Sequence, residues 1–248
     1  MARKADFLAV RARIAALEMG VSAGVAPFGD PRIDACLPGG GLPLGRWHEA
    51  AGEGMEIETA AVAAAFVAAL AAPLAERGAV VWVMRRQDLY TPGLVGLGFP
   101  AERLIQVCAR DEVQALGALE DALGTEGVAA AIGEMESPDL TSGRRLQLAC
   151  ERHGAAGFVI HRRLFGGREG SGGSAAATRW TIASAPSEPA PGEPGLGPPR
   201  WRVALERCRG GRPGTWIMEK SDDASPLRVV AELGDRQLDS PPSLRLAG

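Results

Sequence analysis

Lysine is almost absent from this chain of 248 residues. Of its 27 lysines and arginines, only Lys4 and Lys220 are lysines, and they lie near the two ends of the chain. A phosphate-binding loop of the common type joins a strand to a helix and uses a lysine to reach the β- and γ-phosphates of a nucleotide. The sequence therefore excludes a lysine-dependent phosphate loop anywhere in the chain.

Other chemistry-bearing patterns are missing as well. The four cysteines are widely spaced without a CxxC pair, and no metal-ligand spacing joins the three histidines, His48, His153 and His161. We therefore expect no metal site. No GxSxG elbow marks a nucleophilic serine. Cys108 and Cys150 lie in apolar runs, which predicts that both are small buried residues.

Signals for secretion or membrane insertion are also lacking. The N-terminus has no apolar core, and the longest apolar run, near residues 60–74, is mostly alanine and too short to span a bilayer. The net charge of −3 creates no overall attraction to nucleic acid or to a membrane surface. These features predict a cytoplasmic protein without membrane contacts.

Strand-like and helix-like segments alternate through the middle of the chain. The continuous apolar run 80–84 is typical of a strand buried on both faces. Helices are predicted over about 56–77, 111–123 and 139–153, the last with Asp139 as its N-cap. This alternation predicts an α/β fold with a mostly parallel sheet flanked by helices. Later apolar runs predict a C-terminal antiparallel hairpin, with strands over 201–207 and 215–219.

The composition divides the chain into three parts. Residues 1–25 form a predicted helical segment, residues 26–220 the folded core, and residues 221–248 a weakly ordered tail with little apolar surface. Glycine, serine and proline concentrate in two stretches of the core, which predicts flexible loops over about 166–176 and 185–199.

The segment 51–59 occupies the place of a phosphate loop, between a strand-like run and an alanine-rich helix. It keeps some glycines, but a glutamate stands directly before the threonine, where the lysine is required. Glu53 and Glu56 add two more carboxylates, which would repel the phosphates of a nucleotide. The segment predicts a degenerate phosphate loop that binds no nucleotide, with its key positions at Gly52, Gly54, Glu58 and Thr59.

An ordered series of short motifs extends over residues 28–220. The series comprises Phe28-Gly29, Leu37-Pro38-Gly39-Gly40-Gly41-Leu42-Pro43-Leu44-Gly45, His48-Glu49, Asp88-Leu89-Tyr90-Thr91-Pro92-Gly93-Leu94, Gly133-Glu134, Asp139-Leu140-Thr141, Arg144-Arg145-Leu146-Gln147-Leu148-Ala149, Thr178-Arg179-Trp180, Arg207-Cys208-Arg209-Gly210-Gly211 and Pro213-Gly214-Thr215-Trp216. The chain resembles the RecA recombinase core and, more specifically, the ImuA family of RecA-like accessory proteins of bacterial SOS mutagenesis.

The resemblance implies a role in lesion bypass that does not follow from the composition or the spacing of residues. Proteins similar to this one are implied to work with a catalytically inactive Y-family-like polymerase homologue, of the ImuB type, and to contact RecA. An error-prone replicative-type polymerase is implied as an indirect partner. The resemblance thus implies a RecA-like core that acts without catalysis.

The residues themselves argue against an ATPase. Glu134 follows a predicted strand near the place of a Mg²⁺-orienting carboxylate, but a structural or capping role is favoured for a lone acid there. Arginines stand nearest the end of the strand 80–84, and Asp88 comes later, so the acid that would activate water is also displaced. We therefore predict that the protein is not an enzyme and uses no cofactor.

Two basic clusters could contact DNA or a protein. Residues 144–168 hold six arginines against one acid, and the glycine-rich stretch in this region corresponds to a DNA-binding loop in the RecA-like arrangement. A solvated basic face is an equal alternative. The candidate contacts are Arg144, Arg145, Arg162, Arg163 and Arg168. A second cluster, over residues 200–212, indicates a solvated strand face or a protein contact as readily as DNA.

Two other functions remain open at this point. An SOS cell-division inhibitor would share the same degenerate RecA-like scaffold. A divergent DNA-dependent ATPase would need an arginine in place of the missing lysine, but Arg46 and Arg77 lie on the wrong sides of the loop for that role.

Overall fold

The computed structural model describes residues 23–136, 138–162, 174–189, 192, 194–220 and 227–233. The predicted N-terminal helix lies almost wholly outside these residues. Over this part of the chain, eleven strands form a two-stranded sheet and a nine-stranded sheet. The strands are β1 (Val25–Ala26), β2 (Leu42–Pro43), β3 (Trp47–Gly52), β4 (Ala79–Met84), β5 (Leu104–Cys108), β6 (Val128–Met135), β7 (Ala156–His161), β8 (Thr178–Ala185), β9 (Arg200–Cys208), β10 (Gly214–Lys220) and β11 (Leu227–Glu232).

The large sheet has the strand order β11-β10-β9-β8-β3-β7-β6-β4-β5. Strands β8, β3, β7, β6, β4 and β5 are mutually parallel, and β9, β10 and β11 extend the sheet in antiparallel pairs. The predicted α/β class and the mostly parallel sheet are confirmed. The predicted C-terminal hairpin is also present, as β9 and β10.

Helices cover both faces of the parallel strands. They are α1 (Pro31–Asp34), α2 (Glu56–Ala71), α3 (Thr91–Gly96), α4 (Glu112–Leu123) and α5 (Leu140–His153). Helix α2 ends six residues before the predicted position at Arg77, because Pro73 cannot continue an α-helix and starts a 3₁₀ segment. The ends of α5 agree with the prediction. Asp139 accepts a hydrogen bond from the backbone N–H of Ser142, and Gly154 closes the helix with φ of 76°.

Each face of the sheet has its own core. On the α2 side, Phe66 packs with Trp82, Phe158 and Trp180 from the strands. On the other side, Trp47 packs with apolar residues of α4 and α5, such as Leu119. The alternation of side chains along each strand assigns neighbouring residues to opposite faces.

Two differences from the sequence predictions concern the edges of the sheet. Cys108 is exposed, not buried as predicted, because β5 is an edge strand and most of its side chains lack a covering element. Cys150 is buried, as predicted. Strand β11 lies within the predicted tail and is held in the sheet by Leu227 and Val229, which alternate into the α2-side core. The tail prediction missed this strand because the apolar run is short.

A buried polar chain links β8 to β3 inside the sheet. The Trp180 Nε1–H group donates to Thr178 Oγ1 (2.7 Å), and the Thr178 hydroxyl lies 2.8 Å from His48 Nδ1. Because the carbonyl of Pro43 can only accept, His48 Nε2 must donate to it (3.0 Å). Burial lowers the pKa of His48 to about 4, so the ring is neutral at neutral pH.

Candidate functional site at the carboxyl edge of the sheet

The carboxyl ends of the parallel strands lie along one edge of the sheet, where α/β proteins ordinarily bind ligands. The loop that follows β3 reaches this edge, as do the ends of β4, β6 and β7. These are the segments that hold the predicted degenerate loop, Asp88, Glu134 and Arg162. We call this region the carboxyl edge.

The loop between β3 and α2 is short. Strand β3 ends at Gly52 and helix α2 begins at Glu56, so only residues 53–55 are outside regular structure. A phosphate loop binds a nucleotide phosphate with free backbone N–H groups of the loop and of the first turn of its helix. The first of these groups, Glu53 N–H, donates instead to the carbonyl of Ile182 in β8 (2.8 Å). This hydrogen bond removes one N–H donor that a phosphate cradle at this position would need.

The side-chain hydroxyl of Thr59 is bound to the backbone of its own helix. It donates to the carbonyl of Met55 (3.0 Å), one turn earlier in the chain. Thr59 also packs against Gly52 so closely that a Cβ atom at Gly52 would lie 2.3 Å from the Thr59 hydroxyl oxygen. The glycine at position 52 thus makes room for Thr59. The structure does not describe the side chain of Glu58.

The carboxylate of Glu53, one of the acids predicted to repel a nucleotide, is not unpaired. It pairs with the guanidinium of Arg202 in β9, and both side chains are partly exposed. The predicted repulsion of nucleotide by Glu53 is therefore weakened by a neighbouring positive charge. The sequence gives no sign of this pairing, because Arg202 is far away along the chain and reaches Glu53 only through the order of the strands.

Glu134 lies at the centre of a buried ionic cluster. Its Oε1 atom accepts from the Trp82 indole N–H (2.8 Å), and its Oε2 atom accepts from Arg162 Nε (2.8 Å). Arg162 also lies 3.6 Å from Asp88 Oδ1. The Glu134 side chain is 4% exposed and that of Arg162 is 16% exposed. The structure thus brings together three residues that the sequence predictions placed in different roles.

This carboxyl-edge cluster gives Arg162 a partner inside the protein. The sequence predicts Arg162 as a contact for DNA phosphates or a protein, but two acids already neutralise its charge. Glu134 likewise has both of its oxygens engaged, which favours the structural role over Mg²⁺ binding. Among the described residues, no group of three or more histidine, cysteine, aspartate or glutamate side chains could hold a metal ion.

A second buried ion pair is absent from the sequence predictions. Glu49 in β3 is fully buried, and its Oε2 atom accepts from Arg179 Nε in β8 (2.8 Å), while its Oε1 atom accepts from the Ser174 hydroxyl (2.5 Å). His161 Nε2 lies 4.0 Å from the same Oε1 atom. The sequence feature that could have revealed this ion pair is the glutamate within the strand-like run of β3, because a carboxylate buried in a strand requires partners.

Arginines also hold the backbone that follows residues 163–173. Arg207 donates to the carbonyls of Ser174 (2.9 Å) and Ala176 (3.1 Å), and Arg209 donates to the carbonyl of Ser174 (3.1 Å). The second basic cluster thus contributes to the protein's own structure at these two positions. Arg163 and Arg168 lie outside the described residues.

Comparison with known proteins decides the family. No protein-family model matches the chain. Proteins named Protein ImuA from two strains of Caulobacter vibrioides are each 60% identical to it over 224 residues, which cover 86% of this chain and 92% of theirs. The chain belongs to the ImuA family. Membership of this family supports an accessory role in SOS mutagenesis.

The remaining candidate residues of this ImuA-family chain lie on α5, the helix that follows β6. Arg145 pairs with Glu120 of α4, with Nη2 and Oε2 2.5 Å apart. Arg144 is exposed and makes no ion pair within the described part of the chain. Arg144 is therefore the candidate contact with a free charge at the surface.

The described helices also bear on membrane contacts. None of them combines the length and the apolar character that a bilayer-spanning helix requires.

Proposed function

We propose that this ImuA-family protein is a non-catalytic accessory protein of SOS-induced, error-prone translesion DNA synthesis. In this proposal a RecA-like core has lost its nucleotide site and acts by contacts with other proteins. The observation that carries the proposal is the pairing of Arg162 with Glu134, which fills the carboxyl edge with the protein's own charges.

The free energy needed to release Glu134 from its partners supports this proposal. Freeing Glu134 to orient Mg²⁺ would remove the acceptor of the Trp82 indole N–H and the main partner of Arg162. Breaking a buried pair on one side costs about 3–5 kcal/mol, because the other charge stays behind without compensation. The N–H group of Glu53, in the loop after β3, already donates to Ile182 and cannot help to repay that cost.

The partners follow from the family resemblance. We propose that the protein binds a catalytically inactive Y-family-like polymerase homologue and RecA, and that it reaches an error-prone replicative-type polymerase through them. A protein without a nucleotide switch can keep the recombinase shape as a binding surface. The shape, rather than ATP turnover, would then be the selected property.

Co-purification from cells tests this function. A tagged full-length chain is recovered after DNA damage and from undamaged control cells. We expect the polymerase homologue in the damaged sample, together with the error-prone polymerase. The alternative, an SOS cell-division inhibitor, would bind the tubulin-like division protein. Recovery of that protein without polymerase components would contradict the proposal.

DNA remains a further candidate partner, through Arg163 and Arg168. Gel shifts with single-stranded and duplex DNA test it. Phosphate contacts require binding that weakens steeply between low and moderate salt, since each contact releases counterions. The absence of a shift with either form of DNA at low salt would exclude direct DNA binding and leave the protein contacts as the proposed function.

A further inference from the structure

Helix α5 exposes a stripe in which leucine and arginine alternate every four residues. The stripe consists of Leu140, Arg144, Leu148 and Arg152. Leu140 is 53% exposed and Leu148 is 61% exposed, although both belong to a helix whose other face is fully packed. The buried face is formed by Gly143, Leu146, Ala149 and Cys150. The stripe therefore takes no part in the packing of the fold over its described residues.

The two arginines of the stripe keep their charges free. Two acids of α4 and α5 have other partners, since Glu120 pairs with Arg145 and Glu151 pairs with Arg46 (3.0 Å). Arg152 lies across the end of α4, next to Gly124. Within the described ranges, neither Arg144 nor Arg152 forms an ion pair. The surface thus presents two arginines without an ion pair among the described residues, one on each side of the exposed Leu148.

Residues four apart on a helix form a ridge, and such ridges pack into the grooves of a second helix. A ridge of alternating leucine and arginine is complementary to a helix that carries apolar residues between acidic ones. DNA phosphates would match the two arginines but would gain nothing from Leu140 and Leu148. The geometry therefore favours a protein helix over DNA as the occupant.

We propose that the α5 stripe is a docking site for an acidic, amphipathic helix of a partner protein. The proposal rests on the accessory function proposed above, in which the protein acts by contacts with other proteins; we call this the adaptor function. It adds the surface that makes the contact and the chemistry of the partner. Two kinds of contact contribute. Leu140 and Leu148 bury apolar surface, and Arg144 and Arg152 pair with carboxylates of the bound helix.

Site-specific crosslinking in the full-length chain tests the proposal. A benzoylphenylalanine replaces Thr141, which is exposed beside the stripe and leaves the stripe intact. Cells are irradiated after DNA damage, and the crosslinked peptide is identified by mass spectrometry. We expect a peptide from another protein, with acids flanking apolar residues at helical spacing. The same label at Val113, which is 83% exposed on α4, serves as the matched control and should not give this peptide.

Two variants separate the possible occupants. We expect Leu148→Ser and the double variant Arg144→Glu/Arg152→Glu each to reduce the crosslink by about tenfold, because a helix needs both kinds of contact. Their melting temperatures should stay close to that of the wild type, since the residues are exposed. A DNA adduct, a crosslink within the chain itself, or a yield that is unaffected by Leu148→Ser would overturn the proposal.

Damage-induced mutagenesis distinguishes the failure of this inference from the failure of the adaptor function. The wild-type chain and the two variants are each expressed in a deletion strain. Restoration by the wild type but not by the variants supports the docking site. Equal restoration by all three overturns the docking site and leaves the adaptor function in place. Failure of the wild type to restore mutagenesis overturns the adaptor function, and this inference with it.

Discussion

The carboxyl edge of the sheet and the outer face of α5 both carry arginines that the sequence predicts as contacts, but the two regions use them differently. At the carboxyl edge, Arg162 is turned inward and is held by Glu134 and Asp88. On α5, Arg144 points away from the core and keeps its charge free within the described part of the chain. The comparison shows that Arg162 is bound by acids of its own fold, whereas Arg144 makes no ion pair with the described residues.

The largest expected effect is the loss of Arg162. Arg162→Ala leaves the buried carboxylate of Glu134 without its cation, and we expect the free energy of unfolding to fall by about 3 kcal/mol or more. Urea denaturation measures the change. The matched control Arg144→Ala should alter stability by less than about 0.5 kcal/mol. Equal effects of the two substitutions would contradict the distinction between the regions.

Stability should also depend on pH through His48. Its pKa is about 4 in the folded protein, against 6.5 for a histidine side chain in water, so protonation favours the unfolded chain. The stabilisation is complete above pH 6.5 and is lost as the pH falls towards 4, by about 3 kcal/mol at 1.36 kcal/mol per pKa unit. Denaturation midpoints of the wild type and His48→Gln across this range measure the effect. Parallel curves would show that His48 is not responsible.

Thr178→Val tests the chain of hydrogen bonds around His48. The substitution keeps the side-chain volume but leaves the Trp180 indole N–H and His48 Nδ1 without the hydroxyl between them. We expect a loss of about 2 kcal/mol in the free energy of unfolding, because both groups are buried. Thr181→Val, at a partly exposed position of the same strand, is the control and should cost less.

The smallest expected effect on stability is that of Leu148→Ala on α5. Because Leu148 is 61% exposed, we expect a change of less than about 0.5 kcal/mol in the free energy of unfolding. Differential scanning calorimetry, with Leu146→Ala as a buried counterpart on the same helix, provides the comparison. A large loss in Leu148→Ala would mean that the stripe belongs to the core and is not a free surface.

The sequence is sufficient to predict most of the elements, because helix and strand alternate with clear local signals. Asp139 and Gly154 mark the ends of α5 in the sequence, and the structure confirms both. The predicted end of α2 is wrong because the helical pattern continues across Pro73, although proline blocks the backbone hydrogen bond.

The candidate site is less predictable than the fold because it depends on which strands become neighbours. Arg162 and Glu134 are 28 residues apart and meet only because β7 lies beside β6. The basic cluster in the sequence therefore could not show that Arg162 is paired and Arg144 is not. The missing lysine and the start of α2 at Glu56 can both be recognised in the sequence, whereas the hydrogen bond from Glu53 N–H to Ile182 depends on β8 lying beside β3.

Isothermal titration of the full-length protein with Mg-ATP tests most directly whether the carboxyl edge is closed to nucleotide. Arg162→Ala serves as the variant in which the edge loses its internal cation. We predict no detectable binding to the wild type up to millimolar nucleotide. Micromolar binding to the wild type that is abolished by Glu134→Ala would show that Glu134 holds Mg²⁺, and would contradict the account of a closed, non-catalytic site.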